Sequence, residues 1–164
     1  MKLKKLTLTS MLIAFTVVMG LVVKIPVGRE MFTLANVVVF ISAFLLGKKQ
    51  GLIIGSLSGL LIDGIAGFWI WAPVTLLVYG LMGFVAGYFG EQKKSNISRI
   101  IGMILCWLIL VGGYFVGGAI IFGSFAVATA GIPVNVMQGG LGFVIALAIY
   151  PVLKPVLGKR VHHM

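Results

Sequence analysis

Acidic residues are scarce in this chain of 164 residues, which has 3 Asp and Glu against 13 Lys and Arg and a formal net charge of +10. Charged residues of both signs make up only 10% of the sequence, whereas 60% is hydrophobic and 23 residues are glycine. A water-soluble domain of this size needs far more charged surface. The composition therefore indicates an integral membrane protein.

Several kinds of active site are also missing. The single cysteine, Cys106, lies in an apolar segment and rules out an internal disulfide framework. His162 and His163 are adjacent near the carboxyl end without Cys or carboxylate neighbours, so they do not resemble a metal site. No G-x-x-x-x-G-K-[ST] motif occurs, and no pairing of nucleophile and base suggests hydrolysis. We therefore expect a binding protein that is not an enzyme and needs no cofactor or metal. Any energy that it uses must come from a separate protein.

The apolar stretches predict six transmembrane helices in a single domain, residues 1–164. Each crossing needs about 20 predominantly apolar residues, and the stretches cover about 6–23, 31–46, 50–67, 73–90, 99–122 and 133–153. Pro26 and Gly28 break helix periodicity in the polar connection 24–30. Pro151 and Pro155 are expected to kink or end the last helix. The small-residue segment 123–132 is either a lid or a connector.

The distribution of basic residues predicts the orientation. With a cytoplasmic amino terminus, only Lys24 and Arg29 of the 13 basic residues fall outside. The inner ones are Lys2, Lys4, Lys5, Lys48, Lys49, Lys93, Lys94, Arg99, Lys154, Lys159 and Arg160. The positive-inside rule then favours an all-α membrane protein with both termini in the cytoplasm. These residues are expected to meet anionic lipid headgroups, and no basic stripe interleaved with aromatics indicates a nucleic-acid partner.

A row of small residues runs along the third predicted helix. Glycine recurs every four residues on one helical face, with a carboxylate at one step of the row: Gly47, Gly51, Gly55, Gly59, Asp63 and Gly67. Such a face lets a neighbouring helix approach closely in lipid. A carboxylate within an apolar segment is a functional-site hypothesis by default. The alternative is that Asp63 caps a neighbouring helix or lies at the membrane surface.

The predicted topology gathers polar and aromatic residues in the outer half of the protein, which indicates a pocket that opens outward. The candidate ligand contacts are Asn36, Asp63, Trp69, Trp71, Tyr114, Asn135 and Gln138. Structural alternatives stay open: an interfacial belt for the tryptophans, packing for Tyr114, cross-helix hydrogen bonds for the Asn36 and Gln138 amides, and a first-turn role for Asn135. Arg29 and Glu30 are expected to form a solvated loop pair.

Three segments resemble the substrate-binding S components of energy-coupling factor (ECF) vitamin transporters. They are KLTLTSMLIAF at the start, LANVVVFISAFLLGKKQGLIIGSLSGLLID at 34–63 and GIPVNVMQGGLG at 131–142. The resemblance implies a protein of the bacterial cell membrane that captures a vitamin outside. It also implies association with a transmembrane coupling subunit and two cytosolic ATPases. Ser10 and Ala14 take the place of the family's small-x-x-x-small motif, which packs on the coupling subunit.

The resemblance is strongest to the hydroxymethylpyrimidine or pyridoxine branch. Tryptophan and tyrosine faces can stack such a ring, and Asp63 can accept from a protonated ring nitrogen or amino group. Within the family, pantothenate is an alternative that would call on Arg29 or Lys24, and riboflavin is one that needs a larger pocket. A small proton-coupled exporter with Asp63 as its titrating carboxylate is the alternative of another class.

Overall fold

The computed structural model describes residues 2–28, 30–90 and 95–162. In chain order the elements are α1 (Lys2–Val22), β1 (Lys24–Val27), β2 (Glu30–Thr33), α2 (Ala35–Leu46), α3 (Lys48–Ala66), α4 (Ala72–Gly90), α5 (Asn96–Phe122), the short α6 (Phe125–Ala128), a 3-10 turn (Thr129–Gly131) and α7 (Ile132–His162). The described chain is thus a helical bundle with one small hairpin.

Within the described residues, four helical stretches are long and apolar enough to cross a membrane. They are Leu3–Val22, Ala72–Gly90, Asn96–Phe122 and Phe125–Pro155. Helix α2 is apolar but only 12 residues long, and α3 carries two lysines and Asp63 among its 19 residues. The four stretches indicate a multi-pass membrane protein. They are fewer than the six spans that the sequence predicted.

The connection between the first two helices differs from the prediction. Residues 31–33, expected to begin the second helix, lie in strand β2, which pairs antiparallel with β1 and places Lys24 opposite Thr33. Gly28 has a φ of +62° in the intervening turn, a conformation that glycine adopts at low cost in two-residue hairpin loops. The polar connection is therefore a β-hairpin, and α2 begins only at Ala35.

The last helix also differs from the prediction. It passes through Pro151 and Pro155 and ends at His162, beyond the expected end near residue 153. Membrane helices tolerate internal proline because neighbouring groups can satisfy the backbone atoms that it leaves unpaired. The segment before this helix is ordered as α6 and the 3-10 turn, and the Ser124 side chain caps α6 by accepting a hydrogen bond from the Val127 amide at 3.3 Å.

The glycine row of α3 packs against α4 in an antiparallel register. The facing pairs are Gly51 with Gly83, Gly55 with Tyr79, and Gly59 with Thr75. A Cβ atom added to Gly59 would lie 3.0 Å from the Thr75 carbonyl oxygen, so these backbones are in direct contact. Asp63 is one further step along the same face of α3, and its side chain lines a cavity together with Trp71.

Helix α2 occupies the centre of the bundle. Its phenylalanines Phe40 and Phe44 are each 1% exposed, and the helix packs against α1, α3, α4 and α7. The chain order places the hairpin, the α3–α4 connection and the start of α7 at one end of the bundle. The turn at Gly47 and the described start of α1 lie at the other end.

Candidate functional site

A cavity lies at the end of the bundle where the hairpin, the α3–α4 connection and the start of α7 meet. It is lined by Glu30, Met31, Thr33, Ile62, Asp63, Phe68, Trp71, Thr75, Tyr79, Tyr114, Asn135 and Gln138. The space between these side chains is about 420 Å³ including the open mouth, and little of it is wide enough to hold a water molecule. The cavity is therefore a narrow cleft.

The local structure at the end of α3 positions Asp63. Gly67 adopts the left-handed conformation with a φ of 83°, and the Phe68 amide donates to the Asp63 carbonyl at 2.8 Å. This is a Schellman motif, which ends the helix one turn after Asp63. The Asp63 side chain is 5% exposed, and its Oδ2 atom has no hydrogen-bond partner in the described part of the chain.

Aromatic side chains form one wall of the cleft. Trp71 is 6% exposed and packs edge-on against Tyr114, with ring centroids 5.9 Å apart. The Tyr114 hydroxyl donates to Thr75 Oγ1 at 2.9 Å, and the Thr75 side chain hydrogen-bonds to the Asp63 carboxylate. The wall thus combines ring faces that can stack a flat ligand with a hydrogen-bond chain that ends at the carboxylate.

A buried hydrogen-bond network forms the floor of the cleft and joins four elements. The Gln138 side chain accepts from the Thr33 amide at 3.0 Å and donates to the Tyr79 hydroxyl at 3.2 Å. The Asn36 side chain donates to the Gln138 carbonyl oxygen at 2.9 Å. Strand β2, α2, α4 and α7 are therefore tied together beneath the cavity.

Glu30 brings a second carboxylate to the cleft from the hairpin. It is half-buried, and a Cβ atom added to Gly131 would lie 2.6 Å from Glu30 Oε1. Burial raises the pKa of the Glu30 carboxyl above its ordinary value, and the negative charge of Asp63 raises that pKa further. The expectation that Glu30 belongs to a solvated loop pair is wrong, and Arg29 lies outside the described residues.

The structure brings most of the sequence-selected residues together. The residues that line the cleft are Asp63, Trp71, Tyr114, Asn135 and Gln138. Asn36 lies beneath it, 0% exposed and hydrogen-bonded across helices, and is not part of the lining. Trp69 is 68% exposed and packs over Gly64 outside the cleft. Among the described residues, no three His, Cys, Asp or Glu side chains come together in a way that could hold a metal ion.

Sequence reasoning did not select Tyr79, Thr33 or Phe68. For Tyr79 a signal is present, because Thr75, Tyr79, Gly83 and Gly87 recur every four residues on α4 and mirror the glycine row of α3. For Thr33 no local signal exists, since its partner Gln138 lies 105 residues away in the chain. Ser10 and Ala14 lie on an exposed face of α1, away from this cleft.

Comparison with solved structures gives the same architecture. The S component of a bacterial ECF transporter superposes with a TM-score of 0.76, covering 96% of this chain and 99% of that one at 21% sequence identity. At this level of identity the match establishes the fold.

Comparison of sequences is more specific. The thiamine precursor transporter HmpT of Lactococcus lactis subsp. cremoris (strain MG1363) is 34% identical over 154 residues, which is 92% of this chain and 88% of that protein. The thiamine transporter ThiT of Bacillus subtilis (strain 168) is 28% identical over 135 residues, 73% of this chain and 69% of that protein. The family described as "ECF-type riboflavin transporter, S component" matches residues 1–155. The chain therefore belongs to the ECF S-component family and is a vitamin-binding transport subunit, not an enzyme.

Proposed function

We propose that this S component binds hydroxymethylpyrimidine, or a closely similar small aromatic vitamin such as pyridoxine, in the cleft at the hairpin end. The observation that carries the proposal is the buried Asp63 Oδ2, which has no partner in the described part of the chain and lies beside the aromatic wall of Trp71 and Tyr114. A flat heterocycle can stack on the ring faces while its nitrogen groups donate to the carboxylate. The similarity to a thiamine precursor transporter supports the same ligand.

The shape and charge of the cleft argue against the alternatives within the family. Riboflavin needs a wider chamber than this narrow space of about 420 Å³ including its mouth. Pantothenate is an anion, and its carboxylate would lie near Glu30 and Asp63, which repel it. Thiamine is a second candidate, favoured by the similarity to a thiamine transporter and by the aminopyrimidine ring that it shares with hydroxymethylpyrimidine.

The placement of the ends supports the proposed topology of six crossings with both termini in the cytoplasm of a bacterium. The described basic residues Lys4, Lys5, Lys48, Lys49 and Arg99 lie at the bundle end opposite the cleft, and Lys24 lies at the cleft end. By the positive-inside rule the cleft then faces outward. The ligand would be captured outside and delivered inward by an energy-coupling module with a transmembrane coupling subunit and two cytosolic ATPases. The exposed Ser10 and Ala14 face on α1 is the proposed contact with that coupling subunit.

Tryptophan fluorescence tests the site. We expect hydroxymethylpyrimidine to quench the tryptophan fluorescence of the purified protein. Trp71→Phe should remove most of that quenching, because Trp71 lines the cleft. Trp69→Phe is the matched control, since Trp69 lies two residues away in the chain but is 68% exposed outside the cleft. Mass spectrometry of ligand retained during purification identifies the natural compound. Quenching that survives in Trp71→Phe and vanishes in Trp69→Phe would place the ligand elsewhere.

A further inference from the structure

The acidic residues of this chain are concentrated at one place. The sequence has 3 Asp and Glu against 13 Lys and Arg, and two of the three, Glu30 and Asp63, line the same cleft. They come from different elements, Glu30 from strand β2 and Asp63 from helix α3. In a chain with a net charge of +10, both of the described charged residues that line the cleft are acidic.

Asp63 does not lie where the fold itself favours a carboxylate. Asp63 is in the last turn of α3, at the negative end of the helix dipole, where a cation is stabilising and an anion is not. One of its oxygens has no hydrogen-bond partner in the described part of the chain, although the side chain is only 5% exposed. A buried acceptor without a partner is costly. A ligand that donates to it would remove that cost.

Glu30 is held against the segment that precedes α7. Its carboxyl packs on Gly131, where even one added methyl group would collide with it. Gly131 is the residue before the first turn of α7, whose amides and helix dipole attract a negative charge. The hairpin and this segment therefore aim the Glu30 carboxyl toward the cleft that Asp63 also lines.

No lysine or arginine of the described residues lines the cleft. The hairpin's described cation, Lys24, is not part of the lining: its Nζ lies 3.5 Å from the Ala66 carbonyl oxygen and 5.5 Å from the centre of the ring of Phe68, which does line the cleft. Within the described chain, the two carboxylates therefore repel each other, and this repulsion contributes to the raised pKa of Glu30. A positively charged or donor-rich group between them would replace repulsion with attraction.

We propose that Glu30 and Asp63 together are the specificity determinant of the cleft: they select a ligand that presents a cationic or amino-substituted ring nitrogen and reject ligands that carry a carboxylate or a phosphate. Glu30 is the new element, because it adds a second acceptor from the hairpin to the one from α3. The inference rests on the proposed function for the location of the binding site, and it adds the rule by which ligands are discriminated.

Equilibrium titration of the purified full chain with three related probes tests this rule. The probes are hydroxymethylpyrimidine with its ring amino group, an analogue with hydrogen in place of that amino group, and the phosphate ester. We expect the wild type to bind the first at least about tenfold more tightly than either of the others, because the second loses a hydrogen bond to a charged group and the third adds a negative charge that the carboxylates repel. Glu30→Gln and Asp63→Asn should each reduce both affinity ratios, that of the amino probe to the analogue and that of the amino probe to the phosphate ester. The double variant should reduce them most.

Two further variants separate charge from folding. Glu91→Gln removes the third acidic residue of the sequence, which lies outside the described residues, and should leave both affinity ratios unchanged. Gly131→Ala keeps every charge but displaces the Glu30 carboxyl, so it should reduce the preference for the amino probe. Ratios that stay at the wild-type value in correctly folded Glu30→Gln would overturn the role of Glu30.

The result also distinguishes this inference from the proposed function. If hydroxymethylpyrimidine binds but its phosphate ester binds equally well, the ligand assignment stands and the charge rule fails. If none of the probes binds the wild type, the ligand assignment fails. The charge rule is then tested by the chemical class of the vitamin that the protein retains during purification. A retained carboxylate- or phosphate-bearing vitamin would overturn the rule, whereas a retained cationic or amino-substituted one would support it.

Discussion

Gly55→Leu is expected to destabilise the folded protein strongly. Gly55 lies in the middle of the row on α3, and its missing side chain is where the backbone of α4 passes at Tyr79 and Gly80. A leucine there has to displace a helix backbone, not a flexible side chain. Overpacking in a well-packed core costs about 1–3 kcal/mol, occasionally more. Because helices associate in lipid through close packing of this kind, we expect the α3–α4 pair to separate and the cleft between them to be lost.

Gly112→Leu is the matched control. It makes the same substitution in the middle of another long helix, α5, where a Cβ atom would meet nothing within 4 Å. We expect this variant to purify as a single species with wild-type ligand binding. Size-exclusion chromatography in detergent and the thermal transition of each variant measure the difference. A Gly55→Leu protein as stable as Gly112→Leu would show that the glycine row is not what holds α3 and α4 together.

Ala14→Trp is expected to leave ligand binding intact while abolishing uptake. Ala14 lies on the exposed face of α1, one turn after Ser10, and neither residue lines the cleft. The proposed coupling subunit needs a flat surface there, because a large side chain holds two helices apart. The variant should therefore bind hydroxymethylpyrimidine with wild-type affinity and fail only when transport depends on the energy-coupling module.

The control for this prediction is Ile120→Trp. Ile120 is 77% exposed on α5, so the same large side chain is added to a surface with no proposed partner. Uptake in cells that express the complete module, together with co-purification of its subunits, measures the effect. Wild-type uptake by Ala14→Trp would remove α1 from the coupling interface, and loss of ligand binding in that variant would instead indicate damage to the fold.

Two residues of the same type, close together in the sequence, can differ widely in burial. Trp69 and Trp71 are two residues apart in one aromatic connection, yet Trp69 is 68% exposed and Trp71 is 6% exposed. The turn that follows Gly67 decides which ring enters the bundle, and an aromatic run by itself does not encode that choice. Asn36 is similar: its polarity within an apolar helix indicated a role, but only its bond to the Gln138 carbonyl shows that it supports the floor of the cleft.

The sequence alone determined the properties that depend on composition and on spacing within one helix. The excess of apolar residues required a membrane protein, and the four-residue repeat of glycine placed a close helix contact on α3, with Asp63 on the same face. The tertiary structure decided the rest, including the hairpin in place of a longer second helix and the meeting of Glu30 with Asp63. Those features depend on contacts such as Thr33 with Gln138, 105 residues apart, and a local pattern carries no information about which distant side chain will complete it.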